Sequence, residues 1–205
     1  SEQLAWRLNA MVEESGSFRN GFDMGRNALN PSITLIAGAK TLITVSFEHL
    51  IDDRTADRGF PSYRGAPLMA SASTFFGNAR QSNARGNSDG LAVAVESELD
   101  NGWNLKNSAR VTRYDKFYQN VYPGSEVGAA GTLTLSAYNN ANQRLNAFNQ
   151  TELSRKFAAG GIEHEILVGM EIGKQESANK RNTGFFGAST AITVSAANPI
   201  AEVTR

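Results

Sequence analysis

Apolar and polar residues alternate with a period of two along most of the chain, the pattern of strands with one greasy and one wet face. From Ala5 to Glu13, one face carries Trp6, Leu8, Ala10 and Val12 and the other Arg7, Asn9, Met11 and Glu13. Leu29, Ile33, Leu35 and Ala37 oppose Asn30, Ser32 and Thr34, and Ile43, Val45 and Phe47 oppose Thr44, Ser46 and Glu48. Leu91, Val93, Val95 and Leu99 line a fourth strand against Glu96 and Glu98. A fifth, from Trp103, sets Leu105, Ala109 and Val111 against Lys106, Ser108, Arg110 and Thr112. The sixth sets Leu145, Ala147, Thr151 and Leu153 against Arg144, Asn146, Gln150, Glu152 and Ser154. In the seventh, Ile162, His164, Ile166, Val168, Met170 and Ile172 face away from Glu163, Glu165, Gly169, Glu171 and Gln175. No helical period competes over comparable lengths.

Connector lengths separate a barrel from a sandwich. Gly38-Ala39-Lys40, Asp100-Asn101-Gly102 and Ala158-Ala159-Gly160-Gly161 are tight turns, with glycine supplying positive φ. The other connectors, near 14–23, 52–89, 119–142 and beyond 175, are expected to be long. In an up-and-down meander the short turns then share one end and the long loops the other, which is the asymmetry of outer-membrane barrels. The seventh strand, Ile162 to Gln175, extends about 46 Å at 3.3 Å per residue. Tilted by about 45°, it crosses a hydrocarbon layer of about 30 Å. Trp6, Trp103 and Phe157 sit at turn-side strand ends, where amphipathic rings collect at a lipid–water boundary. Ordinary strand aromatics would look the same. Pro31 and Asn149 fall on the apolar side, and local bulges are expected to turn them away. Arg113 and Arg155 share that side near strand ends, where a long side chain reaches the interface.

Seven strands cannot close a barrel in lipid, since unpaired edge groups there cost several kcal/mol each. The polar face is rich in Arg, Lys, Glu, Asn and Gln, which suits a wide, hydrated or plugged lumen. The expected fold is therefore all-β: a partial transmembrane antiparallel up-and-down barrel, seen as an open curved sheet. Composition agrees. Twenty basic residues balance 20 acidic ones in 205, so there is no basic excess of the nucleic-acid-binding kind. Mean hydropathy is −0.35, and no apolar run approaches the length of about 20 residues that a membrane helix requires. The absence of cysteine removes disulfides, Cys-ligated zinc and thiol catalysis. Ser1-Glu2-Gln3-Leu4 shows no basic n-region or apolar h-region, and with the strand pattern this favours a fragment.

Several stretches carry a family resemblance. Asp52-Asp53-Arg54-Thr55-Ala56-Asp57-Arg58-Gly59-Phe60-Pro61-Ser62 resembles the corresponding segment of TonB-dependent siderophore receptors. Ser73-Thr74-Phe75-Phe76-Gly77, Tyr114 to Gly124, Leu135-Ser136-Ala137-Tyr138-Asn139-Asn140, Phe148 to Leu153 and Arg181-Asn182-Thr183-Gly184 are similar too, in the same order. The resemblance runs from about Trp6 to Gly187 and is strongest to the ferric-catecholate branch. It implies that residues 1–205 are an early-to-middle part of a plugged, 22-stranded type of barrel, without the plug, the TonB-contacting segment, the signal peptide and the remaining strands. It implies energised uptake of a ferric siderophore at the bacterial outer membrane, with TonB engaged through the plug, lipid around the barrel, no nucleic acid and no enzymatic activity. No resident cofactor is implied, because the iron chelate is cargo.

A ferric catecholate is a bulky anion with aromatic ligands, so its capture calls for cations and aromatic faces. Arg54, Arg58, Phe60, Tyr63, Arg64, Phe75, Phe76, Arg80 and Arg85 in the first long loop, and Lys116, Phe117, Tyr118 and Tyr122 in the next, are the candidates for an outer vestibule. The plainer alternative is that Asp52, Asp53 and Asp57 pair with Arg54 and Arg58 while the aromatics pack the loop base. The row Glu163, Glu165 and Glu171 suits a solvated lumen wall better than acid–base chemistry. His49 and His164 have no clustered ligands in sequence, so no metal site is expected. Asn149-Gln150-Thr151 matches a glycosylation acceptor but lies within a strand. Two further classes stay open on sequence: a passive porin, which has no plug, and a soluble β-rich binding module, which stays monomeric without detergent.

Overall fold

The computed structural model describes residues 3–205. Long strands β1 (Leu4–Gly16), β2 (Asp23–Ala37) and β3 (Thr41–Thr55) are followed by a two-residue ribbon, β4 (Ser62–Tyr63) and β5 (Ala66–Pro67). Then come β6 (Asn83–Glu98), β7 (Trp103–Pro123), β8 (Thr132–Ala159), β9 (Ile162–Thr183) and the short β10 (Ala191–Ser195). Apart from the ribbon, they form one antiparallel sheet in the order β1-β2-β3-β6-β7-β8, with β9 and β10 both paired to β8. β9 pairs with residues 138–159 of β8 and β10 with residues 132–136, higher on the same strand. All seven expected strands are present, and the three expected tight turns close one end of the sheet.

The other end differs from expectation. The strands run on well past their alternating segments, so the connectors 14–23 and 119–142 shrink to residues 17–22 and 124–131. Residues Tyr114–Pro123 and Leu135–Asn140, expected in a loop, belong to β7 and β8. Only 56–82 and the segment after β9 are extensive.

Register ties the alternation together. Trp6 pairs with Ile33, Ile33 with Val45, Val45 with Val93, Val93 with Ala109, Ala109 with Asn149 and Asn149 with Ile172. This ladder row is apolar at every strand but one. Rows on either side continue it, from Leu4–Leu35–Ile43–Val95 to Leu8–Pro31–Phe47–Leu91–Val111–Ala147. Val12 is 79% exposed and Trp6 75%, so this face needs an apolar solvent.

The belt also drifts across the ladder. It centres near Leu8 on β1 but near Leu167 on β9, and the turn-side aromatics step from Trp6 to Trp103 to Phe157. The drift is about one to one and a half residues per strand. With a 3.3 Å rise and about 4.8 Å between strands, that is a tilt of about 35 to 45°, the range of transmembrane barrels.

The two misfits stay on the apolar face, and neither is turned away by a bulge. Register is the same on both sides of Pro31, where Leu29 pairs with His49 and Ser32 with Ser46. Pro31 has no N–H to donate, and Asn30 Nδ2 donates to the Phe47 carbonyl instead, at 2.8 Å. Asn149 exchanges hydrogen bonds with Asn107 at 3.1 and 3.2 Å, and Asn107 also donates to Thr151 at 2.7 Å. The patch satisfies its own polar groups, as lipid requires. Arg155 lies over the Trp103 ring, 5.7 Å from its centroid, at the turn-side boundary.

Beyond the belt, the same side of β7 and β8 changes solvent. Val121, Leu133, Leu135 and Ala137 share the side of Val111 and Ala147, yet they are buried in a small core with Val127, Phe76 and Phe186. The 56–82 segment and the chain after β9 cover them. Gly77 N–H donates to the Pro199 carbonyl at 2.9 Å, and Gln81 Nε2 to the Val203 carbonyl at 3.1 Å.

Candidate functional site

The polar face becomes a built site where β3, β6 and β7 rise out of the belt. A cavity of about 750 Å³ lies there, with Glu48, Leu50, Asp52 and Arg54 of β3 on one wall and Tyr114, Lys116, Tyr118 and Asn120 of β7 on the other. Its floor is β6, at Ala84, Gly86 and Ser88, and Asp57 and Arg58 overhang it. Strand pairing fixes this arrangement: Arg54 opposes Ala84, and Ala84 opposes Tyr118.

An aromatic and cationic cluster adjoins the cavity. Asn120 of β7 pairs with Tyr138 of β8, between Tyr118 and Tyr122 on the same face. Both rings meet Tyr138 edge-on, with centroids 5.5 Å away in each case. Arg181 of β9 stacks over the Tyr138 ring at 3.9 Å. Arg58 approaches from the loop, 5.8 Å from Tyr138 and 5.9 Å from Tyr122, and donates to the Tyr138 hydroxyl. Tyr118 donates to the same oxygen at 3.3 Å. That hydrogen bond, helped by burial, raises the Tyr118 pKa above the ordinary 10.0. The phenol is neutral at physiological pH, and the charge of the cluster comes from its guanidinium groups.

Those charges stand without carboxylate partners. Among the described residues, Arg58, Lys116 and Arg181 make no ion pair, whereas Arg26 and Arg54 meet Asp52, Arg19 meets Asp57 and Arg85 meets Asp53. Unpaired cations beside aromatic faces form a receptive surface for an anion that carries rings.

The sequence candidates divide accordingly. Arg54, Arg58, Lys116 and Tyr118 line the cavity, and Tyr122 joins the cluster. Phe117 touches the cavity rim but belongs to the opposite side of β7. Phe60 packs edge-on against Phe76 at 5.3 Å, with Arg19 above it. Phe76 is 2% exposed, and Phe75 is buried as well. Tyr63 packs against the same core, with Arg64 over its ring at 5.1 Å. These four aromatics hold the loop together and are off the wall of this cavity, although Phe75 borders a second one. Arg80 faces that second cavity, between the loop and Ala197–Glu202. Asn120, Tyr138 and Arg181 were not singled out from sequence; the signal was there in Tyr138 and Arg181 of the resembling stretches, but only the register brings them to Tyr118.

No family profile matches the chain. The Acinetobacter baumannii protein described as probable TonB-dependent siderophore receptor PiuA is 26% identical over 200 residues, which cover 87% of this chain and 27% of the relative. Among solved structures, BauA, the ferric preacinetobactin receptor of Acinetobacter baumannii, superposes with a TM-score of 0.84 at 13% identity, covering 97% of this chain and 30% of that one. The ferric-catecholate import receptor Fiu of E. coli, in its closed form, gives 0.81 at 18% identity, covering all of this chain and 32% of the other. The chain thus spans between a quarter and a third of the length of the proteins it matches. Its fold is that of a stretch of their barrel, and this likeness, together with the exposed apolar belt, places it in the bacterial outer membrane.

Proposed function

We propose, for a chain that is part of the β-barrel of a TonB-dependent siderophore receptor, that residues 1–205 form one continuous section of that barrel and supply a wall of its outer vestibule. The whole receptor captures a ferric siderophore from outside and imports it at the expense of energy delivered by TonB, through a plug that lies outside this chain. One observation carries the reading: Arg58 and Arg181, which make no ion pair among the described residues, converge with Tyr118, Tyr122 and Tyr138 beside an open cavity that Lys116 also lines. Such a wall suits the negative charge and the flat rings of a catecholate chelate. The likeness to receptors favours it over a passive diffusion channel.

Binding of a ferric tris-catecholate to the full-length receptor tests this, by quenching of intrinsic fluorescence. Replacing Arg58 and Arg181 together with glutamine weakens binding at least about tenfold, since hydrogen bonds to charged groups contribute about 1.5 to 3 kcal/mol each. Unchanged affinity in a folded double variant contradicts the assignment.

A further inference from the structure

The face of β6 that floors the cavity has only small side chains over most of its length. Ala84, Gly86, Ser88, Gly90, Ala92 and Ala94 follow one another on that face, a run of about 33 Å at 3.3 Å per residue. Over its upper part the neighbouring walls are bulky: Glu48, Leu50 and Asp52 on β3, and Tyr114 and Lys116 on β7, with Arg110 just below. The result is a trough set into the polar wall. A Cβ on Gly86 would meet nothing within 4 Å. At Gly90 the trough is crossed by an ion pair between Arg110 Nη2 and Glu48 Oε2, at 3.5 Å and half-exposed. Glu48 also marks the lower end of the cavity. Below that crossing Ala92 and Ala94 continue the small-residue face, and its flanks shorten to Ser46 and Thr44 on β3 and Ser108 on β7, so the trough opens out.

A second observation points to a ligand at its head. Asn120 is 1% exposed and lines the cavity, yet its Nδ2 has no hydrogen-bond partner among the described residues. A buried amide donor left unmade is costly, and an acceptor oxygen arriving in the cavity would satisfy it.

We propose that the inner face of β6 is the floor of the track along which the iron chelate leaves the vestibule, from beneath Asn120, past Gly90, to Ala94. This rests on the receptor function proposed above and adds a route that the vestibule alone does not specify. The smallest side chains give the most room for a rigid, ring-bearing complex. The Arg110–Glu48 crossing parts as it passes, with Arg110 exchanging Glu48 for the anion.

Surface binding and uptake of a radiolabelled ferric tris-catecholate, measured in cells carrying the full-length receptor, test the track. Binding is read in energy-poisoned cells and uptake in energised ones. Ala92→Phe and Ala94→Phe lie below the cavity, so both keep binding within about twofold while initial uptake falls at least about tenfold. Glu171→Phe, on the same ladder row as Ala94 through Ser108 and Gln150, leaves uptake as in the unaltered receptor. Uptake within about twofold of normal in both alanine variants overturns the track, as does an equal loss in Glu171→Phe. Loss of surface binding in both alanine variants also counts against it, because neither position lines the cavity. An unaltered receptor that neither binds nor imports the chelate refutes the proposed function itself, an outcome distinct from failure of the track alone.

Discussion

Val93 lies at the centre of the apolar belt on β6, between Leu91 and Val95, and pairs with Val45 and Ala109. Substituting arginine there puts a charge near the middle of a hydrocarbon layer about 30 Å thick. The side chain reaches roughly 6 to 7 Å, less than half the distance to either interface, so snorkelling brings only partial relief. Arginine on the lipid face of a barrel costs about 2 to 4 kcal/mol at the midplane and about 0 to 1 kcal/mol near the interfaces. V93R should therefore lower the folded-to-unfolded ratio by a factor of roughly 30 to 1,000. Ala92 is one residue away and faces the lumen. A92R should cost less than about 1 kcal/mol on the same scale. The chain carries its own control in Arg113, on the apolar side one ladder row above Val111 and paired with Asp89, where the depth penalty has faded. Denaturant unfolding of the full-length receptor in lipid vesicles measures both variants. Equal costs for V93R and A92R, or a V93R cost below about 0.5 kcal/mol, would refute the assignment of faces.

Gly77 tests how the long loop is fastened. Its φ is +137°, and a Cβ there would lie 1.9 Å from the Val121 carbonyl oxygen, so G77A should detach the 56–82 segment and speed tryptic cleavage at Arg64; an unchanged cleavage rate would count against that anchor. Tyr118 should titrate above 10.0, and Y138F should bring it back down, since the hydrogen bond to Tyr138 is the largest cause of the shift. Because the folded state favours the neutral phenol, its contribution to stability is intact below pH 10 and is lost as pH rises towards the folded pKa. A difference titration against Y118F checks both, and a Tyr118 pKa unmoved by Y138F would contradict the bond.

The belt was legible because lipid imposes one rule on every strand, and a period of two survives substitutions such as Asn149. The strand extensions were not. Above the bilayer both faces meet water or protein, so Lys116-Phe117-Tyr118-Gln119-Asn120 alternates in no solvent-defined way and reads as a loop. Yet Tyr118 and Asn120 hold ladder positions opposite Asn140 and Tyr138, continuing the register set below. The candidate site suffered from the same limit. Arg54, Arg58, Tyr118 and Tyr122 were found by residue type alone, while Tyr138 and Arg181 needed the β7–β8–β9 pairing to come together. Phe60 and Phe76 have the right chemistry for stacking on a ligand, but sequence does not distinguish an aromatic that packs a loop from one that lines a cavity. Pro31 is a milder case: a bulge was the obvious accommodation, and a side-chain amide from Asn30 made it unnecessary.

The alternation of faces is most directly tested by single spin labels placed in turn at residues 89–96 of the full-length receptor in bilayers, which is convenient because this chain has no native cysteine. Accessibility to oxygen should peak at 91, 93 and 95, and accessibility to a water-soluble nickel chelate should peak at 90, 92 and 94. Profiles that rise and fall together, or with a period near 3.6 residues, would contradict a strand with lipid on one side and a wet lumen on the other.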